Sequence, residues 1–261
     1  MGRGRQRVII YSVLLCAGFL FLWQLASAPA AGGKAQGLPG PLAVGWTAWE
    51  MGSNPFYDNG PNDKGIGLQL LFSLGRLAIG YTVAALVAIL LGVVLGLSPT
   101  LYRAVNPYVQ ILKPISPLAW MPLFLYTIKN AGMAAMLVVF MSSLWPILAN
   151  TAFGVATIKR DYLNVSAILQ LSWLGRLFRV ILPAAAPAIV AGLRISMGSA
   201  WVAIVAAEML IGGTGIGYFV WNEWNNLALS SVIFAILAIG MVGVLLDFGL
   251  GRLSRIVAYA E

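Results

Sequence analysis

The chain has 261 residues, of which 60% are hydrophobic and only 9% charged, with a net charge of +8 and a mean hydropathy of +0.88. Soluble domains carry about 25% charged residues, so this composition excludes an ordinary soluble enzyme or nucleic-acid binder and describes an integral membrane protein. The absence of histidine and the presence of a single cysteine, Cys16, exclude internal disulfides, Cys/His zinc sites and histidine acid–base chemistry.

Arg3, Arg5 and Arg7 precede an apolar run over residues 8–28. The basic start and Ala26-Ser27-Ala28 mimic a cleavable leader, but the run exceeds the ~7–15 residues of a leader's apolar core. A retained first span is the expectation, and a leader the alternative. Residues 29–67 are rich in Gly, Pro, Asn and Asp, with Glu50, Asp58 and Asp63 set against Lys34 and Lys64. That stretch reads as a polar loop outside the membrane, with Trp46, Trp49 and Phe56 placed to lay part of it on the membrane surface. A second span covers 68–97 and stops at Ser98-Pro99, before a short cytoplasmic link with Arg103 and Lys113. The third span is short or irregular, because Pro114, Pro117 and Pro122 crowd its entry and Lys129-Asn130 close it. Such backbone is tolerated at membrane depth only inside protein or beside water. The fourth span covers 133–157.

Residues 158–183 cannot sit in lipid, since they carry Lys159, Arg160, Asp161, Arg176 and Arg179. Val165, Ile168, Leu169, Leu171, Leu174, Leu177 and Phe178 recur mostly at spacings of three and four, which predicts one amphipathic cytoplasmic helix ended by Pro183. Taken alone, that helix reads equally as a docking element for a soluble partner or as an interfacial helix on anionic lipid. A fifth span covers 184–211. A glycine-rich outer loop, 212–226, holds Trp221, Glu223 and Trp224, and a sixth span covers 227–249. Six spans put both termini on one side. The inner segments hold eleven Lys and Arg residues (Arg3, Arg5, Arg7, Arg103, Lys113, Lys159, Arg160, Arg176, Arg179, Arg252 and Arg255) and the outer segments three (Lys34, Lys64 and Lys129), so that side is cytoplasmic.

No G-x-x-x-x-G-K-[ST] phosphate loop occurs, and GGTGIG at 212–217 follows a span rather than a strand, so this subunit is not read as an ATP-binding enzyme. Ionisable residues within spans are functional candidates, and these are Arg76, Arg194, Glu208 and Asp247. Arg194 lies eleven residues past Pro183, roughly 16 Å along a helix and so near mid-membrane. Its fixed charge and fork of donors suit a passing monovalent anion, and the alternative is that Arg76 and Arg194 pair with carboxylates to hold helices together. Asp247 reads as a span boundary. Trp120, Trp145 and Trp201 either line a pathway or pack.

The segment ending Val180-Ile181-Leu182-Pro183 resembles the coupling motif of ABC-importer permeases: EAA, three residues, Gly, nine residues, I-x-L-P. Alignment on those residues puts Asn164-Val165-Ser166 at EAA and Gln170 at the glycine. The runs NPFYDNGPNDKG (54–65), ILKPISPLAWMPL (111–123), SLWPILANTAFGV (143–155), NVSAILQLS (164–172), LPAAAPAIVAGLRIS (182–196) and AWVAIVAAEMLIGGTGIGYFVW (200–221) resemble the nitrate permease branch of the nitrate/sulfonate/taurine/bicarbonate importer family. That branch shares the NVxxxLQLS form, so Asn164 and Gln170 fit it.

The resemblance implies an all-α type I ABC-importer permease with six transmembrane helices and both termini cytoplasmic. Its parts are an N-terminal helix (1–28), a periplasmic loop (29–67) and a five-helix core (68–257) that contains the coupling segment 158–183. It implies a homodimer in the bacterial inner membrane, two ATPase subunits that bind ATP and Mg, and a periplasmic or membrane-anchored substrate-binding protein. It implies no cofactor, metal or catalytic residue in this subunit and no nucleic-acid partner. Asn164, Ser166, Gln170, Leu171, Arg176 and Pro183 are then the ATPase-coupling residues. Arg76, Arg194, Glu208, Trp120 and Trp201 are the pathway candidates. The implied cargo is nitrate or nitrite, with bicarbonate, cyanate or an alkanesulfonate as alternatives. A secondary carrier or a non-transporting membrane scaffold is the reading from another class.

Overall fold

The computed structural model describes residues 2–27, 37–60 and 63–258. Within them every regular element is a helix, apart from one isolated antiparallel bridge between Asp58 and Lys64. The cleavage site at Ala28 of the alternative leader reading, the placement of Lys34 and the side chains of Arg3, Arg5 and Arg160 lie outside the described residues.

Helix α1 (Gly2–Ala26), apolar from Ile10 onward, packs against α2 (Pro41–Ser53). The presence of α2 corrects the expected loop over 29–67. Pro41 sits in its first turn, Val44 is buried, and Trp46 and Trp49 stand exposed on the other side. Helix α3 (Ile66–Leu97) has 32 residues, about 48 Å at ~1.5 Å per residue, which exceeds a hydrocarbon core of ~30 Å. Ser98 then accepts the Leu101 N–H and, with Pro99 in the first turn, starts α4 (Pro99–Leu112). The expected short link is therefore a helix. Pro114 and Pro117 supply no N–H, and the chain turns through a 3₁₀ segment (Pro117–Trp120) into α5 (Met121–Ile128), bent 82° from α4.

Asn130 caps α6 (Ala131–Ala156) by accepting the Met133 N–H. Pro146 inside α6 withdraws the donor that would serve Ser142, and the Ser199 hydroxyl donates to that carbonyl at 3.5 Å. After α6 come α7 (Arg160–Ile168) and α8 (Trp173–Arg176), followed by a π-helical turn (Leu177–Ile181) that leads without a break into α9 (Leu182–Ile211). This corrects the single helix expected over 158–182. The break falls at Gln170, and Pro183, in the first turn of α9, lies inside a continuous rod running from Trp173 to Ile211. The π turn sits where Pro183 withdraws an i→i−4 donor, and Leu182 bonds back to Leu177 instead. Finally, α10 (Ile216–Asn225) occupies much of the expected outer loop 212–226, with Ile216, Phe219 and Val220 buried, and α11 (Leu229–Ala258) ends the fold.

Helices α3, α6 and α9 form the core, and small residues let them close up. A Cβ on Gly80 would press on the Met136 carbonyl, one on Gly92 on Thr151, one on Gly96 on Val155, and one on Gly192 on Asn150 and the Pro146 carbonyl. Without a hydrophobic drive between helices in lipid, such close backbone approach supplies the packing. Helices α3, α6, the 173–211 rod and α11 are each long and apolar enough to cross a bilayer, and α4 with α5 makes a fifth if the bent pair is one span. The apolar part of α1 is shorter. Leu86, Leu90, Val202 and Val244 project exposed from the outer faces of these helices.

Candidate translocation and coupling sites

Gln69, Ser73 and Arg76 follow one another by four and three residues, so they share a face of α3. That face meets the outer end of α9 and the glycine turn before α10. Arg76 Nη1 donates to Glu208 Oε1 at 2.8 Å and to the Thr214 carbonyl at 2.5 Å, while Nη2 donates to Thr214 Oγ1 at 2.6 Å. The Ser73 hydroxyl donates to Glu208 Oε2 at 2.6 Å and accepts the Ile216 N–H at 2.8 Å. The Gly217 N–H reaches Glu208 Oε2 at 3.2 Å, and the Gly215 N–H reaches Gln69 Oε1 at 2.6 Å. Glu208 is only 1% exposed and the Arg76 side chain 18%. Removing two such charges from water is costly, and the network persists because both carboxylate oxygens and both terminal guanidinium nitrogens are used. Gly215, at φ +119, is held to glycine twice, since a Cβ there would also overlap the Glu208 carboxylate. The cavity beside the pair is about 10 Å³, room for about one water. The pair is thus a clamp that fastens α3 to α9 and to the start of α10.

Arg194 belongs to a separate cluster. Its Nε and Nη2 donate to Asp247 Oδ1 and Oδ2, each at 2.8 Å, in a two-pronged ion pair between α9 and α11. Asp247 lies inside α11, which continues to Ala258. The side chains are 47% and 57% exposed on the surface of the chain. An exposed ion pair is expensive wherever it faces lipid, so within a span this face would need water or protein over it. Trp201 is buried and donates its indole N–H to the Ile239 carbonyl at 3.0 Å, tying α9 to α11. Trp120 stacks on Phe124 at the bend after α4, with ring centroids 6.4 Å apart. Its buried indole N–H has no acceptor among the described residues. The structure therefore divides the five pathway candidates among separate places: Arg76 with Glu208, Arg194 with Asp247, Trp201 between α9 and α11, and Trp120 at the bend.

The coupling segment owes its shape to one turn. The Leu171 N–H bonds back to the Ser166 carbonyl at 3.2 Å and the Gln170 N–H to that of Ala167 at 3.0 Å, with Gln170 at φ +51. That is the Schellman ending of a helix, whose left-handed position usually holds glycine. Gln170 occupies the place where the coupling motif carries its glycine, and the turn gives that glycine a structural reason. Ser166 is buried and donates to the Leu163 carbonyl at 2.6 Å, whereas Asn164 is exposed. Arg176 is half-buried, and its Nε has no acceptor among the described residues. Around the turn, Ile168, Leu169, Trp173 and Leu174 form an exposed apolar knuckle. On the opposite side of the membrane, the Asp58 carboxyl is held below its ordinary value by the Lys64 ammonium and the Gly60 N–H. Burial pushes the Tyr57 hydroxyl up, helped by Asp63 and Glu223.

Residues 69–259 match the family described as the binding-protein-dependent transport system inner membrane component. The chain belongs to this family. It is 42% identical over 253 residues to the nitrate import permease protein NrtB of Synechocystis sp., covering 97% of this chain and 90% of that one. It is also 42% identical over 260 residues to the bicarbonate transport system permease protein CmpB of the same organism, covering 98% and 91%. The taurine transport system permease protein TauC of Escherichia coli is 31% identical, covering 74% of this chain and 70% of its own. A chain of the inward-facing MetNI methionine ABC transporter shares the fold, with a TM-score of 0.63 at 17% identity, covering 72% of this chain and 94% of that one.

This inner membrane component is accordingly an all-helical ABC-importer permease, a transport subunit that works with a binding protein. Reading the sequence missed Gln69, Ser73, Thr214 and Gly217 as members of the permease's outer network. A stripe of Gln, Ser and Arg at spacings of four and three in an otherwise apolar span was the signal that could have found the first two.

Proposed function

We propose that this permease imports nitrate or nitrite. In this reading two copies form the pathway, two ATPase subunits bind ATP and Mg on the cytoplasmic side, and a substrate-binding protein delivers the anion from outside. The observation that carries the reading is near-full-length identity to a permease named for nitrate import. The Arg194–Asp247 pair supports an anion as cargo. Arg194 supplies a fixed positive charge at membrane depth, and Asp247 partly neutralises it, so a monovalent anion is attracted without being trapped. The unpartnered indole N–H of Trp120 supplies a second, uncharged donor. On the cytoplasmic side, the knuckle formed by Ile168, Leu169, Trp173 and Leu174, with Asn164, Gln170 and Arg176 beside it, presents itself to the ATPase subunits.

Equal identity over a similarly long match to a bicarbonate permease favours a second reading, with bicarbonate as the cargo of the same machine. Vesicles holding the permease with its ATPase and binding protein would be assayed for uptake of ¹⁵N-nitrate and ¹⁴C-bicarbonate, with and without ATP. Saturable nitrate uptake that requires ATP is expected. Bicarbonate uptake in its place selects the second reading, and uptake of either anion without ATP defeats the importer reading.

A further inference from the structure

None of the pathway or coupling candidates lies on α4. Tyr102, Val105, Asn106, Val109 and Lys113 recur along it at helical spacing and so share one face. That face roofs a trough against the inner ends of α3 and α6. Its larger part, about 240 Å³, lies between Tyr102 and Arg103 above and Leu95, Ala152 and Phe153 beneath. A smaller part, about 50 Å³, shares Leu95, Tyr102 and Ala152 and runs on to Lys113. No residue of α4 is fully buried, so the helix covers this floor loosely.

The depth is set by the neighbours. Helix α3 ends at Leu97 and α6 at Ala156, so the trough lies within about two turns of their cytoplasmic ends, at the level of the inner-leaflet headgroups. Its floor is apolar and its edge is cationic. No acidic residue occurs between Asp63 and Asp161 in the sequence, and among the described residues no carboxylate pairs with Arg103 or Lys113. Cations without protein counter-ions beside an apolar trough at that depth match the chemistry of a lipid that carries both an acyl chain and a phosphate.

We propose that this trough binds one anionic phospholipid of the inner leaflet, with an acyl chain on Leu95, Ala152 and Phe153 and the headgroup phosphate on Arg103. Lys113, ten residues further along the helix, draws the same anionic headgroups to the other end. A protein occupant is less suited, because nothing polar on the floor would satisfy its backbone.

The test uses the permease complex in nanodiscs doped with photoactivatable phosphatidylglycerol or photoactivatable phosphatidylcholine, with adducts mapped by mass spectrometry. Phosphatidylglycerol should label peptides containing residues 95–113 and 148–156 several-fold more than phosphatidylcholine. Unlabelled phosphatidylglycerol should compete and inorganic phosphate should not. Arg103→Gln should lower the labelling about five-fold, the weight of one cation near an anionic membrane surface. Arg103→Lys should retain it, and both variants should elute as intact complexes. Equal labelling by the two lipids, competition by inorganic phosphate, or labelling unchanged in Arg103→Gln would overturn the proposal. So would disulfide formation between copies bearing Tyr102→Cys, since a second chain would then fill the trough.

Discussion

Replacing Glu208 with alanine tests whether the outer network is a clamp. The substitution removes the acceptor of Arg76 Nη1 at 2.8 Å, of the Ser73 hydroxyl at 2.6 Å and of the Gly217 N–H at 3.2 Å. Arg76 keeps its two contacts to Thr214, but its charge stays buried without a counter-charge. Breaking a buried pair from one side costs about 3–5 kcal/mol. At roughly 2–4 °C per kcal/mol for a chain of this size, the melting temperature should fall by about 6–20 °C. Replacing both partners, Arg76→Met with Glu208→Met, removes the stranded charge, so the double variant should lose less than the two single variants added together, with a coupling energy of about 1–3 kcal/mol. Scanning fluorimetry of the purified permease in one detergent, over the four-member cycle, measures this. Additive losses, or a loss under about 1 kcal/mol for Glu208→Ala alone, would show that the carboxylate does not hold the three elements together.

Gln170→Gly should stabilise the α7–α8 turn by up to about 1 kcal/mol, because the left-handed conformation disfavours any side chain, whereas Gln170→Val should destabilise it by at least that much. Amide hydrogen exchange over residues 165–176 distinguishes the two. Asp247→Asn leaves Arg194 without its counter-charge, so nitrate uptake should show a lower KM and a lower maximal rate, while Arg194→Gln should raise KM; vesicle uptake kinetics decide. In the outer turn, the folded pKa of Asp58 lies below its unfolded value, so the Lys64 pair contributes fully above the ordinary carboxylate range and is lost as pH falls through the depressed folded value. Proteolysis within residues 54–65 should therefore be constant through neutral pH and rise only once the pH falls below the ordinary carboxylate range, and Asp58→Asn should flatten that dependence.

The apolar spans now seen as α3, α6, α9 and α11 were legible because they rest on a local count, apolar run length. The turn at Gln170 was half legible. The motif alignment put a glycine position there, yet the apolar spacing of Val165, Ile168, Leu169 and Leu171 runs smoothly through it and predicted one helix. Helices α2 and α10 were hidden because Gly and Asn flank them and their tryptophans read as surface anchors. Period cannot reveal the pairing of Arg76 with Glu208 or of Arg194 with Asp247, whose members lie 132 and 53 residues apart and meet only once the helices pack.

The glycine seams of α3 with α6, and of α6 with α9, limit how the molecule can work. Gly80, Gly92, Gly96 and Gly192 leave no slack for sliding, because a shift of one helical turn would drive bulkier neighbours into backbone. Those three helices must travel as a single block. Any opening and closing toward either side of the membrane then falls to the joints at its margins, chiefly the proline elbow between α4 and α5 and the contact between α9 and α11, whose charged members Arg194 and Asp247 are well placed to part and rejoin.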